Sequence, residues 1–422
     1  MLRRDRVSLG LPIAYLFGLL LIHVPGAFAH LVGDDFFLNS DFIELGIGFT
    51  AIGAICFVAG VWLAHFSTMK VPAPRAADRN RFWWFCLIGG WFFTYGLDFL
   101  RVIPTLGAAV EKSGAVWMLG VMLGLRAAMM RSDPKRTGIW LGVLAVYPVL
   151  MLLFGGFLSY GYRAISIVIS VLAISTRSHW RTAVGIIVVT ILGINVFVSY
   201  YQHRDEIRDA VWGGVSIEER IDTSMGMVRD FEWFDPTNEA QLAPLDERLN
   251  QNYFAGLAAA RIQDGQVDYL YGRSLWEGLL ALVPRILWPE KPVFGGSPVI
   301  VSEMTGLILS EDTSFGVGNV MEFYINFGIP GLVAGFLVLG WLLGWLDRKA
   351  AVAEASGDLG QVFLFFLPAA ALIQPNGSMV ELVGGSAIAL VAAHGWKWAW
   401  KQWAELAPDV AKKPSTAARR SP

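Results

Sequence analysis

Runs of apolar residues long enough to cross a bilayer recur along almost the whole chain, and this feature constrains the fold more than any other. About 20 residues of helix cover the hydrocarbon core, and only helices or closed barrels satisfy every backbone N–H and C=O there. Such runs are read at 11–32, 42–64, 82–103, 113–130, 138–159, 161–176, 181–200, 318–346, 360–375 and 377–395. The expectation is an all-α integral membrane protein of about ten transmembrane helices, with one large loop between the seventh and eighth. The balance agrees, since 55% of the 422 residues are hydrophobic, 16% are charged and mean hydropathy is +0.51. These values lie far from the usual balance of a water-soluble domain.

Basic residues mark alternate connections. Arg3, Arg4 and Arg6 precede the first run, Lys70, Arg75, Arg79 and Arg81 follow the second, and Arg131, Lys135 and Arg136 follow the fourth. Arg177, Arg181, Arg348, Lys349 and the tail continue the same side, which the positive-inside rule makes cytoplasmic, together with both termini. The other side carries residues 33–41 and the hydrophilic segment from about 202 to 316, with about nineteen acidic and about nine basic side chains, all but one of the latter Arg. The resulting division is 1–200 with seven membrane helices, 201–317 as an outward, periplasmic loop with amphipathic and interfacial helices, 318–395 with three more, and 396–422 as a basic cytoplasmic tail. The first run, followed by Ala27-Phe28-Ala29, also reads as a cleavable leader, a reading that leaves the orientation of later runs unchanged. Cys56 and Cys86 fall inside apolar runs, so no disulfide framework, Cys-based zinc site or exposed cysteine nucleophile is expected. No internal repeat or nucleic-acid motif is present.

Charges in membrane runs mark functional sites or internal ion pairs. Here they gather at outward ends: Asp98 and Arg101 in the third run, Arg163 in the sixth, Glu322 in the eighth and Glu381 in the tenth. The plainer readings are snorkelling to water and pairing of Asp98 with Arg101 across one helical turn.

Within the loop, PLDERLNQNYFAGLAAARIQDG (244–265) has apolar Leu245, Leu249, Tyr253 and Leu257 every fourth residue, predicting one helix with Arg248 and Asn252 on one face. It is either an ordinary amphipathic surface helix or one facing substrate. The segment SLWEGLLALVPRILWP (274–289) is too short to span and too apolar for a solvated loop. An interfacial or re-entrant segment is expected, with Trp288 at headgroup level and Arg285 and Lys291 at the height of lipid phosphates. Those two cations either anchor generic headgroups or hold the phosphate of a particular lipid. At the mouth of the eighth run, Asn319, Glu322 and Asn326 form a polar stripe at one-turn spacing.

Four pieces carry a family resemblance: SYGYR with Arg163, ERLNQNYFA (247–255), VPRILWPEKP (283–292) and GNVMEFYINFGIPG (318–331). Together with the run count and the single large outward loop, they resemble the Wzy-type O-antigen and exopolysaccharide repeat-unit polymerases, related to the O-antigen ligases. These segments are short, 38 of the 422 residues, and the rest of the chain matches only in hydropathy. The resemblance implies a GT-C-like membrane glycosyltransferase, independent of metal and cofactor, acting on undecaprenyl-diphosphate-linked glycans as donor and acceptor at the outer face of the bacterial inner membrane. It further implies membrane lipid, a chain-length regulator and a flippase as partners, and no nucleic acid.

That chemistry needs cations for the departing diphosphate and a base for the acceptor hydroxyl. Arg163 and Arg285 are expected as catalytic cations and Glu322 as the base, with Glu303, His203 and the pair Asp34 and Asp35 as lesser alternatives. Arg248, Asn252, Arg273, Lys291 and Asn326 are expected to bind substrate. A ligase of the same superfamily is the nearest rival. A transporter or flippase, or a non-catalytic component of an envelope assembly, are rivals of other classes.

Overall fold

The computed structural model describes residues 8–32, 40–66, 77–97, 99–100, 103, 106–156, 161–176, 178–283, 288, 290–292, 297–309 and 316–406, the side chains of 161–163 and 179 excepted. The expected site residues Asp34, Asp35, Asp98, Arg101 and Arg285 and the basic tail from 407 lie outside the described residues, as does the side chain of Arg163.

All regular structure among the described residues is helical. The first run breaks into α1 (Leu11–Leu21) and α2 (Val24–Val32), followed by α3 (Ser40–Ala64). The third run is α4 (Arg79–Trp91), continued by a π-helical turn over Phe92–Gly96. Then come α5 (Leu106–Ser113), α6 (Val116–Met130), α7 (Pro134–Gly155), α8 (Gly161–Ser175) and α9 (His179–Trp212). The loop region holds α10 (Ile217–Arg229), α11 (Glu239–Arg248), α12 (Asn252–Gln263), α13 (Arg273–Leu280) and α14 (Ser297–Thr305). The chain ends in α15 (Asn319–Ser356), α16 (Leu359–Leu372) and α17 (Met379–Glu405).

Each expected run contains a helix, but seven helical stretches among the described residues are both long and apolar enough to cross a membrane: Leu11–Val32, Ser40–Ala64, Leu106–Met130, Pro134–Gly155, Trp180–Trp212, Asn319–Ser356 and Met379–Glu405. The apolar helices Ala164–Ser175 and Leu359–Leu372 are shorter. Capping defines several boundaries. The carboxylates of Asp78 and Asp133 accept from the N–H groups of Arg81 and Arg136, and Ser378 with Glu381 forms a reciprocal capping box on α17.

The helix α3 packs most extensively on α15, and the core between them includes the stacked pair Phe49–Tyr324, with ring centroids 4.3 Å apart. The first helix stacks Tyr15 on Phe57 at 4.5 Å. Its start is fastened to the far end of α15. Asp347 Oδ2 accepts from the Ser8 hydroxyl (2.6 Å), and Oδ1 accepts from the N–H groups of Leu9 (3.0 Å) and Leu11 (3.1 Å). Polar groups buried from water need such partners, because an unmet one costs about 1–3 kcal/mol.

The eighth run is not one straight helix. At Phe327 (φ −147°, ψ 21°) and Gly328 (φ 64°, ψ −149°) the backbone leaves helical geometry, in a conformation that glycine tolerates. The eight residues before the break, Asn319 to Asn326, are all buried.

The loop also departs from expectation. Residues 244–265 form two helices rather than one: Pro244 lies inside α11, which starts at the Asn238 cap, and the chain turns at 249–251 before α12. Arg248 closes the first helix and Asn252 opens the second, so the expected shared face is absent. Long-range bonds explain the break: Leu249 O accepts from Gly26 N–H, and Gln251 N–H donates to Ile22 O, both at 3.0 Å. In turn α12 lies directly on α3. A Cβ on Gly256 would stand 1.8 Å from Phe42 O, and one on Gly46 2.1 Å from Asn252 O, so only glycine permits this approach.

Candidate functional site

The predicted polar stripe converges with the loop helices at the Asn319 end of the bundle. Asn319 is fully buried, accepts from the Tyr15 hydroxyl at 2.6 Å and donates through Nδ2 to Gly377 O at 2.9 Å. One turn on, Glu322 is 0% exposed, and its Oε2 accepts from Met379 N–H at 2.7 Å, at the amino end of α17. A carboxylate there satisfies an orphan donor and complements the helix dipole. Its Oε1 has no partner at full hydrogen-bond geometry, and the Ser274 hydroxyl interacts with the carboxyl group. Asn326, also fully buried, accepts from Gly272 N–H (3.0 Å) and donates to Ser274 Oγ (2.8 Å) and Glu322 O (2.7 Å). The stripe thus clamps the left-handed Gly272 turn that starts α13. Because Ser274 Oγ accepts from Asn326, its own proton remains for the Glu322 carboxylate.

A second buried cluster fixes the start of α12. Asn252, 0% exposed, donates to His23 O (2.7 Å) and Asn250 Oδ1 (3.0 Å), while its Oδ1 receives His23 Nδ1 (2.8 Å) and the Thr50 hydroxyl (3.3 Å). His23 therefore carries its proton on Nδ1, and its buried Nε2 has no hydrogen-bond partner. Asn250 donates to Asp246 at 2.6 Å. Burial pushes the Asp246 carboxyl up from the usual range, and the Asn250 bond opposes it.

Those expected cations whose side chains are described, Arg248, Arg273 and Lys291, are already engaged. Arg273 forms an ion pair with Glu303, so an expected phosphate binder and an alternative base neutralise one another on a half-exposed surface. Next to them, burial raises the carboxyl of Glu277 and Arg273 opposes the shift. Lys291 donates to Ala281 O (3.2 Å) and Val283 O (3.0 Å), capping the chain after α13. Arg248 lies by the Tyr201 hydroxyl, which donates to Glu247. His203 meets Ser199 O (3.0 Å) and Asp230 (3.3 Å), and Glu381 is taken by its capping box. Of the expected groups, Glu322 and Asn326 are brought together, and Asn252 lies in its own cluster.

Tyr15, His23, Thr50 and Ser274 were not singled out from sequence. His23 carried a usable signal, being a titratable ring inside the first apolar run; the others are common in such runs. Lys112, one residue before the fourth expected run, was lost to the placement of that boundary. Among the described residues no three His, Cys, Asp or Glu side chains are grouped to hold a metal ion.

The arrangement defines a polytopic helical protein whose loop helices are seated on the ends of its apolar helices through buried carboxamide and carboxylate groups. The chain belongs to the family of the domain of unknown function DUF8712, whose model matches residues 50–368. The match takes in the stripe and the loop helices; the partners Tyr15, His23 and Met379 lie beyond it. No curated protein and no solved structure matches the chain.

Proposed function

We propose that the protein is a membrane glycosyltransferase of GT-C-like, ten-span architecture that polymerises undecaprenyl-diphosphate-linked oligosaccharide repeat units at the outer face of the bacterial inner membrane. In this reaction the acceptor sugar hydroxyl attacks the anomeric carbon of the donor glycan. The new glycosidic bond forms as the bond to the lipid diphosphate breaks, and the diphosphate leaves with the electron pair. A base takes the hydroxyl proton and cations offset the departing charge.

The observation carrying the reading is the Glu322 carboxylate, wholly buried at the end of an apolar helix with one oxygen left without a well-formed bond. A structural cap needs one oxygen, and Oε2 already serves Met379 N–H. Retaining an under-satisfied carboxyl group in that position is expensive and marks intramembrane function. Ser274 covers the carboxylate, so movement of α13 would open it to an acceptor.

Glu322→Gln separates the two roles, because a carboxamide oxygen still accepts from Met379 N–H while the base is lost. The expected result is loss of long glycan chains, with single capped repeat units retained and membrane abundance unchanged. Chains of normal length in that variant would remove Glu322 from the chemistry. Deletion of the gene distinguishes a ligase, which would strand full-length glycan on the lipid carrier.

A further inference from the structure

A cavity of about 50 Å³ opens among α1, α5, α6, α8 and α16. Its polar end is formed by Glu111, Lys112 and Gln374, and its walls by Met118, Met122 and Ile167. Gln374 directly precedes the segment 375–377 whose carbonyls hold Asn319, and its amide is 3.5 Å from Glu381, so this end adjoins the Glu322 stripe.

Three observations give the cavity chemical meaning. Lys112 has a side chain only 23% exposed, and it pairs with the adjacent Glu111 at 2.9 Å. Neighbouring residues on a helix diverge in direction, so this contact leaves much of the ammonium's three-donor capacity directed elsewhere. The stem of Lys112 is accommodated by α17, where a Cβ on Gly385 would stand 3.3 Å from Cε and 3.7 Å from Nζ. Finally, Ser170 lines the cavity with a hydroxyl that is buried, in a residue 1% exposed, and has no hydrogen-bond partner. An unsatisfied hydroxyl beside a cavity indicates space for a polar occupant or its water.

We propose that this cavity binds a lipid-borne phosphate, with Lys112 as its counter-charge and the Met118, Met122 and Ile167 wall receiving the adjoining chain. An ammonium is a compact three-donor partner for phosphate oxygens, and its interaction strengthens away from bulk water. Methionine walls adapt to an irregular chain. That the lipid is the prenyl carrier rests on the glycosyltransferase reading above; the phosphate site itself does not.

The test uses the full chain in zwitterionic nanodiscs, titrated separately with undecaprenyl phosphate, phosphatidylglycerol and inorganic phosphate, with binding read by native mass spectrometry. Undecaprenyl phosphate should bind most tightly. Lys112→Gln should weaken it about tenfold, the scale of one charge-assisted hydrogen bond, and Lys112→Arg should restore most of the affinity. Gly385→Val keeps the charge but displaces the stem, and should also weaken binding; it guards against misfolding of the glutamine variant. Equal binding by wild type, Lys112→Gln and Gly385→Val would overturn the site, as would inorganic phosphate binding as tightly as either lipid. Lys112-dependent binding of phosphatidylglycerol equal to that of undecaprenyl phosphate would support the site and count against the prenyl-carrier reading.

Discussion

Replacing Asn252 by Ala tests whether the loop is truly seated in the bundle through its buried carboxamide. The side chain makes four polar contacts, to His23 Nδ1, His23 O, Thr50 Oγ1 and Asn250 Oδ1, at 2.7 to 3.3 Å. Thr50 keeps a second acceptor, Gly46 O at 3.1 Å, so it is not orphaned by the change. Two groups are left unmet, the imidazole N–H and the Asn250 amide oxygen, while the His23 carbonyl keeps the Ala27 N–H at 3.4 Å. At about 1–3 kcal/mol each, less what water recovers by entering the void, a net loss of about 3 kcal/mol is expected. That is roughly 150-fold in the folded-to-unfolded ratio. Asn252→Asp should be worse than Ala, because it turns a donor into an acceptor facing two acceptors. The assay is equilibrium unfolding in mixed micelles titrated with a denaturing detergent, followed by tryptophan fluorescence, alongside a double-mutant cycle with His23→Ala. The reasoning fails if Asn252→Ala falls within about 0.5 kcal/mol of wild type, or if the two sites show no coupling.

Two further predictions concern the same junction. Asp246 has a folded-state carboxyl pKa raised by burial, so its contribution to stability is fully present below the unfolded value of about 3.9 and is lost as pH rises through the folded value. Asp246→Asn keeps an acceptor for Asn250 and should be more stable than wild type near neutrality, with the advantage shrinking on acidification; pH-dependent unfolding midpoints check this. Gly256→Val should abolish close packing of α12 on α3, since even the first carbon would lie 1.8 Å from Phe42 O, and a cross-link engineered between these helices should then fail to form.

The membrane helices were legible because the bilayer sets a length that a run of side chains must fill. The first run, 11–32, coincides with the helical stretch Leu11–Val32, although not with its break at His23. The polar stripe was legible from spacing alone. Its partners were not, because Met379 lies 57 residues from Glu322 and Tyr15 lies 304 from Asn319. The helix over 244–265 was misread for a related reason. Its four-residue apolar rhythm continues through the turn, whereas what interrupts it is hydrogen bonding to Ile22 and Gly26, over two hundred positions away. Arg273 and Lys291 were legible as residues but not as free charges, since Glu303 and the carbonyls after α13 already occupy them. Lys112 and Ser170 acquire meaning only from the cavity they share.

The break at Phe327–Gly328 gives α15 two rotational phases. A straight rod would fix the azimuth of Glu322 by whichever side of the lower shaft suits α3. With a break between them, the two turns that carry Glu322 and the shaft below can take their orientations separately.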